Sequence, residues 1–125
     1  MKTALNPSTV ARSPFYSQGI AVTATRTVYV SGQVGVTADG APLDGIEAQT
    51  RQAIANVAAV LTEAGLDPSS IVKQTVYLTD PADIPGFIAG AADFVGENPP
   101  ATTMLIVAGL ADPALKVEIE VVAAD

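Results

Sequence analysis

Glu118 and Glu120 stand two residues apart in the run Val117-Glu118-Ile119-Glu120. On an extended strand, residues at i and i+2 point to the same side, so the two carboxylates share a face. Such a pair is either a solvated face, the ordinary place for carboxylates, or a carboxylate beside a pocket that orients water or takes a proton. Little else could do acid–base or nucleophilic work. The chain has no cysteine and no histidine. Disulfides, thiolate nucleophiles and thiolate metal sites are thereby excluded, as are the commonest general base and metal ligand. The carboxylates show no metal-ligand spacing. Gly32-Gln33-Val34-Gly35 does not continue into a dinucleotide fingerprint, and there is no P-loop. No metal site and no cofactor are expected.

Bulk properties narrow the classes further. The 125 residues suit a single domain spanning 1–125. Lys and Arg number 6 against 13 Asp and Glu, a net charge of −7, so the basic footprint of a nucleic-acid binder is absent. Hydrophobic residues make up 49% and charged residues 15%. A lone small globule usually shows about a quarter or more charge on its surface, so the shortage points either to apolar surface buried between subunits or to a surface rich in small residues, alanine being abundant. No run approaches the roughly 18 apolar residues of a membrane span. Met1–Ala11 lacks the apolar stretch of a signal peptide. A cytoplasmic protein with no membrane partner is expected.

These residues must be held by interleaved helices and strands. Pro7 and Pro14 mark the first 19 residues as irregular. Ile20–Ala24 and Thr27–Ser31 read as two antiparallel strands joined around Thr25-Arg26. Asp44 and Glu47 have capping-box spacing. Ile46, Thr50, Ala53, Ile54, Val57, Leu61 and Ala64 then recur at helical spacing up to the C-cap residue Gly65, predicting a helix over 44–64. Ile71–Leu78 reads as a strand. A second helix is expected from Asp83 to Val95, weakened by Gly86 and Gly90. Thr102–Ala108 is nearly all apolar, as in a strand covered on both faces, and Leu115–Val122 alternates. The order ββ-α-β-α-ββ predicts an α+β fold, a mostly antiparallel sheet with both helices on one face.

Six segments in order resemble the RidA family, also called the YjgF family. Ser13-Pro14-Phe15-Tyr16-Ser17-Gln18 resembles its N-terminal signature. Val30-Ser31-Gly32-Gln33 matches a VSGQ strand end, and Glu47-Ala48-Gln49-Thr50-Arg51-Gln52 a helix motif. Ile71–Leu78 resembles a VVKTTVFL strand. Gly96-Glu97-Asn98-Pro99-Pro100-Ala101 matches GENPPA, and Val117–Glu120 the closing VEIE. The resemblance implies a chorismate-mutase-like fold and a homotrimer with a central β-barrel. It also implies small-molecule ligands in clefts between subunits, and hydrolysis of reactive 2-imino and 2-enamino acids without metal or cofactor.

The resemblance also distributes roles. Glu118 falls where the family holds its hydrolytic water, and is the expected catalytic residue. Tyr16, Ser31 and Gly32 fall on substrate-lining positions, with Thr102, Thr103 and Ile88 completing the expected binding set. Two of these depart from the deaminase pattern. Thr102 stands where an arginine clamps the substrate carboxylate, and a hydroxyl can donate one hydrogen bond but supplies no charge. Ile88 replaces an asparagine. Arg26 is expected to be solvated in the hairpin, Arg51 to make a structural ion pair, Lys73 to be structural, and Arg12 to lie in the N-terminal segment. Hydrolysis of an imine, enamine or related intermediate is thus one reading, with ordinary 2-imino acids in question. The others are a metabolite-binding or regulatory trimer without catalysis, and a specialised pathway enzyme for a neutral substrate.

Overall fold

The longest apolar stripe makes the longest element. In the computed structural model, which describes residues 1–94 and 96–125, helix α1 spans Ile46–Glu63 and buries Gln49, Thr50, Ala53, Val57 and Leu61, one face of a 3.6-residue period. It starts later than the capping-box spacing predicts. Gly45 occupies the N-cap at φ +88, and no side chain caps the helix. The end is as expected: Gly65 adopts φ +76, and the Leu66 N–H reaches back to the Leu61 carbonyl at 2.8 Å, closing the helix in a Schellman arrangement.

Four strands form the main sheet: β3 (Thr27–Val34), β4 (Ile71–Leu78), β5 (Ala101–Ile106) and β6 (Val117–Ala124). Their order is β3-β6-β4-β5. Strand β6 is antiparallel to both β3 and β4, while β4 and β5 run parallel. Strand alternation sorts the side chains. Val76 and Leu78 of β4, and Val117, Ile119, Val121 and Ala123 of β6, are buried with Val30 against Ala53, Val57 and Leu61 of α1. The second helix, α2 (Ile84–Gly90), adds Ile84 and Phe87 to this core. Both helices lie on the same face, as predicted. Gly90, read from sequence as a weakness, is what lets α2 approach α1: a Cβ there would stand 2.8 Å from Thr50 Cβ and 2.9 Å from the Glu47 carbonyl oxygen.

Three expectations need correction. The hairpin joining 20–24 to 27–31 does not form. Instead β2 (Gly19–Val22) pairs antiparallel with β1 (Lys2–Leu5), a strand inside the segment expected to be irregular. The Thr25 and Arg26 N–H groups bond the Asp125 carbonyl at 2.6 and 3.0 Å, and β3 takes β6 as its partner. The second helix is shorter than 83–95. Pro81–Asp83 forms a 3-10 turn before it, and Ala91–Phe94 continues as turns, consistent with the low helix propensity of Gly86 and Gly90. Val95 lies outside the described residues. Strand β5 is an edge strand rather than a doubly covered one, with Leu105 and Ile106 each 45% exposed on the single chain.

Candidate functional site

The prolines before β5 organise one half of the site. Pro99 and Pro100 have no N–H to give, but their carbonyls accept from Ser17: Oγ to the Pro99 oxygen at 2.6 Å and N–H to the Pro100 oxygen at 3.1 Å. This seam lays Tyr16 beside the start of β5. Between α2, this seam and the helix-side face of the sheet lies a chamber of about 490 Å³, reached by Tyr16, Ile88 and Thr102 and floored by Gln74, Met104 and Ile119. No described residue lining it is charged, and only Tyr16, Gln74 and Thr102 bring polar side chains to it.

Strand register explains the polar floor. Gln74 of β4 stands opposite Thr102 of β5, and its Nε2 donates to Thr102 Oγ1 at 2.9 Å. The Thr102 hydroxyl in turn donates to the Pro100 carbonyl at 3.1 Å. A hydroxyl carries one hydrogen, so the donor that Thr102 was expected to offer a ligand is already committed. Gln74, 8% exposed, was not singled out from sequence. Its role depends on the parallel β4–β5 register. The available signal was its place in Lys73-Gln74-Thr75, where the similar family strand has a threonine.

The other half of the expected site lies on the opposite side of the sheet. Val117 and Ile119 point to the core, so Glu118 and Glu120 point away from the helices. Ser31 and Gly32 fall where the β3–β6 register shifts between Val30 and Gln33. At this irregularity Gly32 lies directly against Glu118, and a Cβ at Gly32 would collide with the Glu118 carboxylate. Glu120 accepts the Tyr77 hydroxyl at 2.6 Å. That bond and the neighbouring negative charges push the Tyr77 phenol above its ordinary value. Glu118 is half-buried, and its carboxylate accepts no hydrogen bond from the described residues. Thr103 is also on this open face, holding the Lys73 ammonium at 2.8 Å. Lys73, Ser31, Tyr29 and Glu120 line a shallow groove of about 350 Å³.

Within one chain, then, the expected residues form two groups. Tyr16, Ile88 and Thr102 meet at the chamber; Glu118 and Gly32 are in contact on the open face, where Ser31 and Thr103 also lie, Thr103 on β5 two strands from β6. Arg51 pairs with Glu47 as expected. Arg26 is exposed, as expected, and there bonds Asp125 through Nε at 3.1 Å and Nη2 at 2.9 Å, because the chain end returns along β3. This pair depresses the Asp125 carboxyl and raises the Arg26 guanidinium. No group of three or more His, Cys, Asp or Glu suited to a metal ion occurs among the described residues.

Fold and site motifs together define a Rid-type α+β protein, two helices on a mixed sheet. The family model described as Endoribonuclease L-PSP matches residues 6–125, and the chain belongs to this RidA/YjgF family. It is similar to the 2-iminobutanoate/2-iminopropanoate deaminase of Homo sapiens, 36% identical over 110 residues that cover 86% of this chain and 78% of the relative. Among solved structures, a Rid-family protein of Yersinia pestis, itself described as of unknown function, superposes with a TM-score of 0.89 at 34% identity over 98% of both chains. TdcF of E. coli, solved with bound serine, gives 0.74 at 29% identity over 92% and 91% of the two chains.

Proposed function

We propose that this chain forms a homotrimer whose intersubunit clefts hydrolyse a reactive imine or enamine, with Glu118 as the base for water. The observation that carries this is the placement of Glu118. It is half-buried beside Gly32, without a hydrogen bond from the described residues, in a chain 36% identical to an imine deaminase. A water held by Glu118 adds to the carbon of the protonated imine as the carboxylate takes one proton from that water, giving a neutral carbinolamine. That proton passes to the nitrogen, and ammonia leaves as the C–N bond breaks, the hydroxyl gives its proton to Glu118 and the C=O bond forms. An enamine first takes a proton at carbon and then follows the same course.

The division of the site across the sheet supports the assembly. Glu118, Gly32, Ser31 and Thr103 of one subunit would meet Tyr16, Ile88 and Thr102 of the next, covering the apolar edge at Leu105 and Ile106. Among the described residues no helix is long and apolar enough to cross a membrane; the cytoplasm is the proposed location. The ribonuclease of the family description finds no support in a chain with a net charge of −7 and no histidine.

The test is release of ammonia and a carbonyl product from imines generated in situ by an amino-acid oxidase. Glu118→Gln should lower the rate by a hundredfold or more, the scale of general acid–base catalysis, about 10²–10⁴. An unchanged rate would remove Glu118 from the chemistry. Absence of turnover on a range of charged and neutral imines would favour the second reading, a metabolite-binding trimer. That reading draws on the loss of the carboxylate clamp at Thr102. A charged hydrogen bond is worth about 1.5–3 kcal/mol, so a simple 2-imino acid should bind about ten- to a hundredfold less well than with arginine there.

A further inference from the structure

We infer that the chamber between α2 and the sheet is a subsite for an uncharged, apolar substituent, and that the Gln74–Thr102 pair sets this preference. The inference rests on the reading of the cleft as a small-molecule site and specifies which molecule it takes. The chamber is of small-molecule size, about 490 Å³, within the roughly 300–1,000 Å³ of such sites. It reaches into the core, since its floor includes Ile119, 1% exposed, and Gln74, 8% exposed. That depth fits a ligand group better than a grazing protein surface.

Its polar atoms are neutral and largely engaged. Thr102 gives its one hydrogen to the Pro100 carbonyl and one of its two lone pairs to Gln74. What remains to a ligand is the Gln74 carbonyl, the second Gln74 N–H, the other Thr102 lone pair and the Tyr16 hydroxyl, a set that suits an amide, alcohol or ketone. A carboxylate brought here would lose its water with no cation to replace it, which is unfavourable without a charge partner. Ile88 at the mouth, 39% exposed, extends the apolar wall where an asparagine would have offered two donors. Ile88 and Thr102 thus both make this wall less polar or less charged than an asparagine and an arginine would, and Gln74 holds Thr102 by a hydrogen bond.

The experiment uses a matched pair of probes, 4-phenylbutanamide and 4-phenylbutanoate, on the full-length protein at neutral pH. Binding is followed by ligand-observed NMR and by the methyl resonances of Ile88, Met104 and Ile119. The amide should bind and shift those methyls, with the carboxylate at least tenfold weaker. Thr102→Arg should narrow or reverse that ratio. Ile88→Asn serves the same purpose should Thr102→Arg fold poorly. Equal or tighter binding of the carboxylate by the wild type would overturn the inference, as would amide binding that leaves the chamber methyls unmoved or no binding of either probe. Turnover is scored separately: amide binding without hydrolysis of any imine keeps this inference and removes the hydrolase reading. Hydrolysis of imines with no amide binding does the reverse.

Discussion

The two faces of the four-stranded sheet are built by the same strands and carry opposite chemistry. Toward the helices, β4, β5 and β6 present Gln74, Met104 and Ile119 to a chamber without a charged group. Away from them, the alternate residues Lys73, Tyr77, Glu118 and Glu120 form a charged, hydrogen-bonded surface. Period-two alternation makes this division unavoidable. A residue and its chain neighbour, such as Thr102 and Thr103, cannot serve one site from one strand. The lesson is that motif residues adjacent in sequence are divided between the two faces of this chain's sheet.

The largest effect should come from the residue that ties α1 to the start of β6. Gln49 is 1% exposed, donates to the Leu43 and Ala114 carbonyls at 2.9 and 2.8 Å, and accepts the Lys116 N–H at 2.8 Å. It anchors α1 to the segment that starts β6, and so fixes the register of Glu118. Gln49→Ala leaves three backbone groups without their partner, and at about 1 kcal/mol each the loss is roughly 3 kcal/mol. Chemical denaturation measures it. A loss under 1 kcal/mol would show that β6 is held by the sheet alone.

Gly32→Ala comes next and separates activity from stability. The new methyl must displace the Glu118 carboxylate, the movable end of a side chain, so the melting temperature should change little. The rate should fall by about tenfold, the scale at which small misplacements of a reacting group are felt. In the Glu118→Gln background the same change should have almost no further effect. Additive losses would place Gly32 outside the Glu118 neighbourhood.

The smallest effect concerns Tyr77 on the open face. Its phenol is raised, first by the hydrogen bond to Glu120 and then by burial and by the Glu120 and Glu118 charges. A raised group contributes stability that is fully present below its ordinary value near 10. The contribution is lost as pH rises through the raised value. Glu120→Gln should therefore move the Tyr77 ultraviolet titration downward, while Thr102→Val on the other face should leave it in place. A shift with both variants would mean that the faces are electrostatically coupled.

Much of this architecture was legible in the residues. The stripe from Ile46 to Leu61 announced α1, and Ile71–Leu78 was bounded correctly because Pro68 and Asp80-Pro81 punctuate it. The shared face of Glu118 and Glu120 follows from spacing alone. Strand β1 was not legible, because Lys2–Leu5 is short and its partner lies beyond an intervening proline-bearing loop. The role of Gln74 was hidden for a related reason: it depends on the parallel register with Thr102, which no local pattern encodes. Tyr16 and Glu118 could both be marked as site residues, but not as residents of opposite faces. That assignment needs to know which alternation of each strand meets the helices.

The most direct test of the composite site is subunit mixing. Glu118→Gln removes the open-face half, and Ala91→Phe, at a residue that lines the chamber beside α2, fills the chamber half. Each variant alone should be inactive on an imine that the wild type hydrolyses. Co-expressed and purified as mixed assemblies, they should recover activity at about one site in four, the statistical share of head-to-tail contacts that join two intact halves. Mixed assemblies that stay inactive would contradict the account and place the whole site within a single chain.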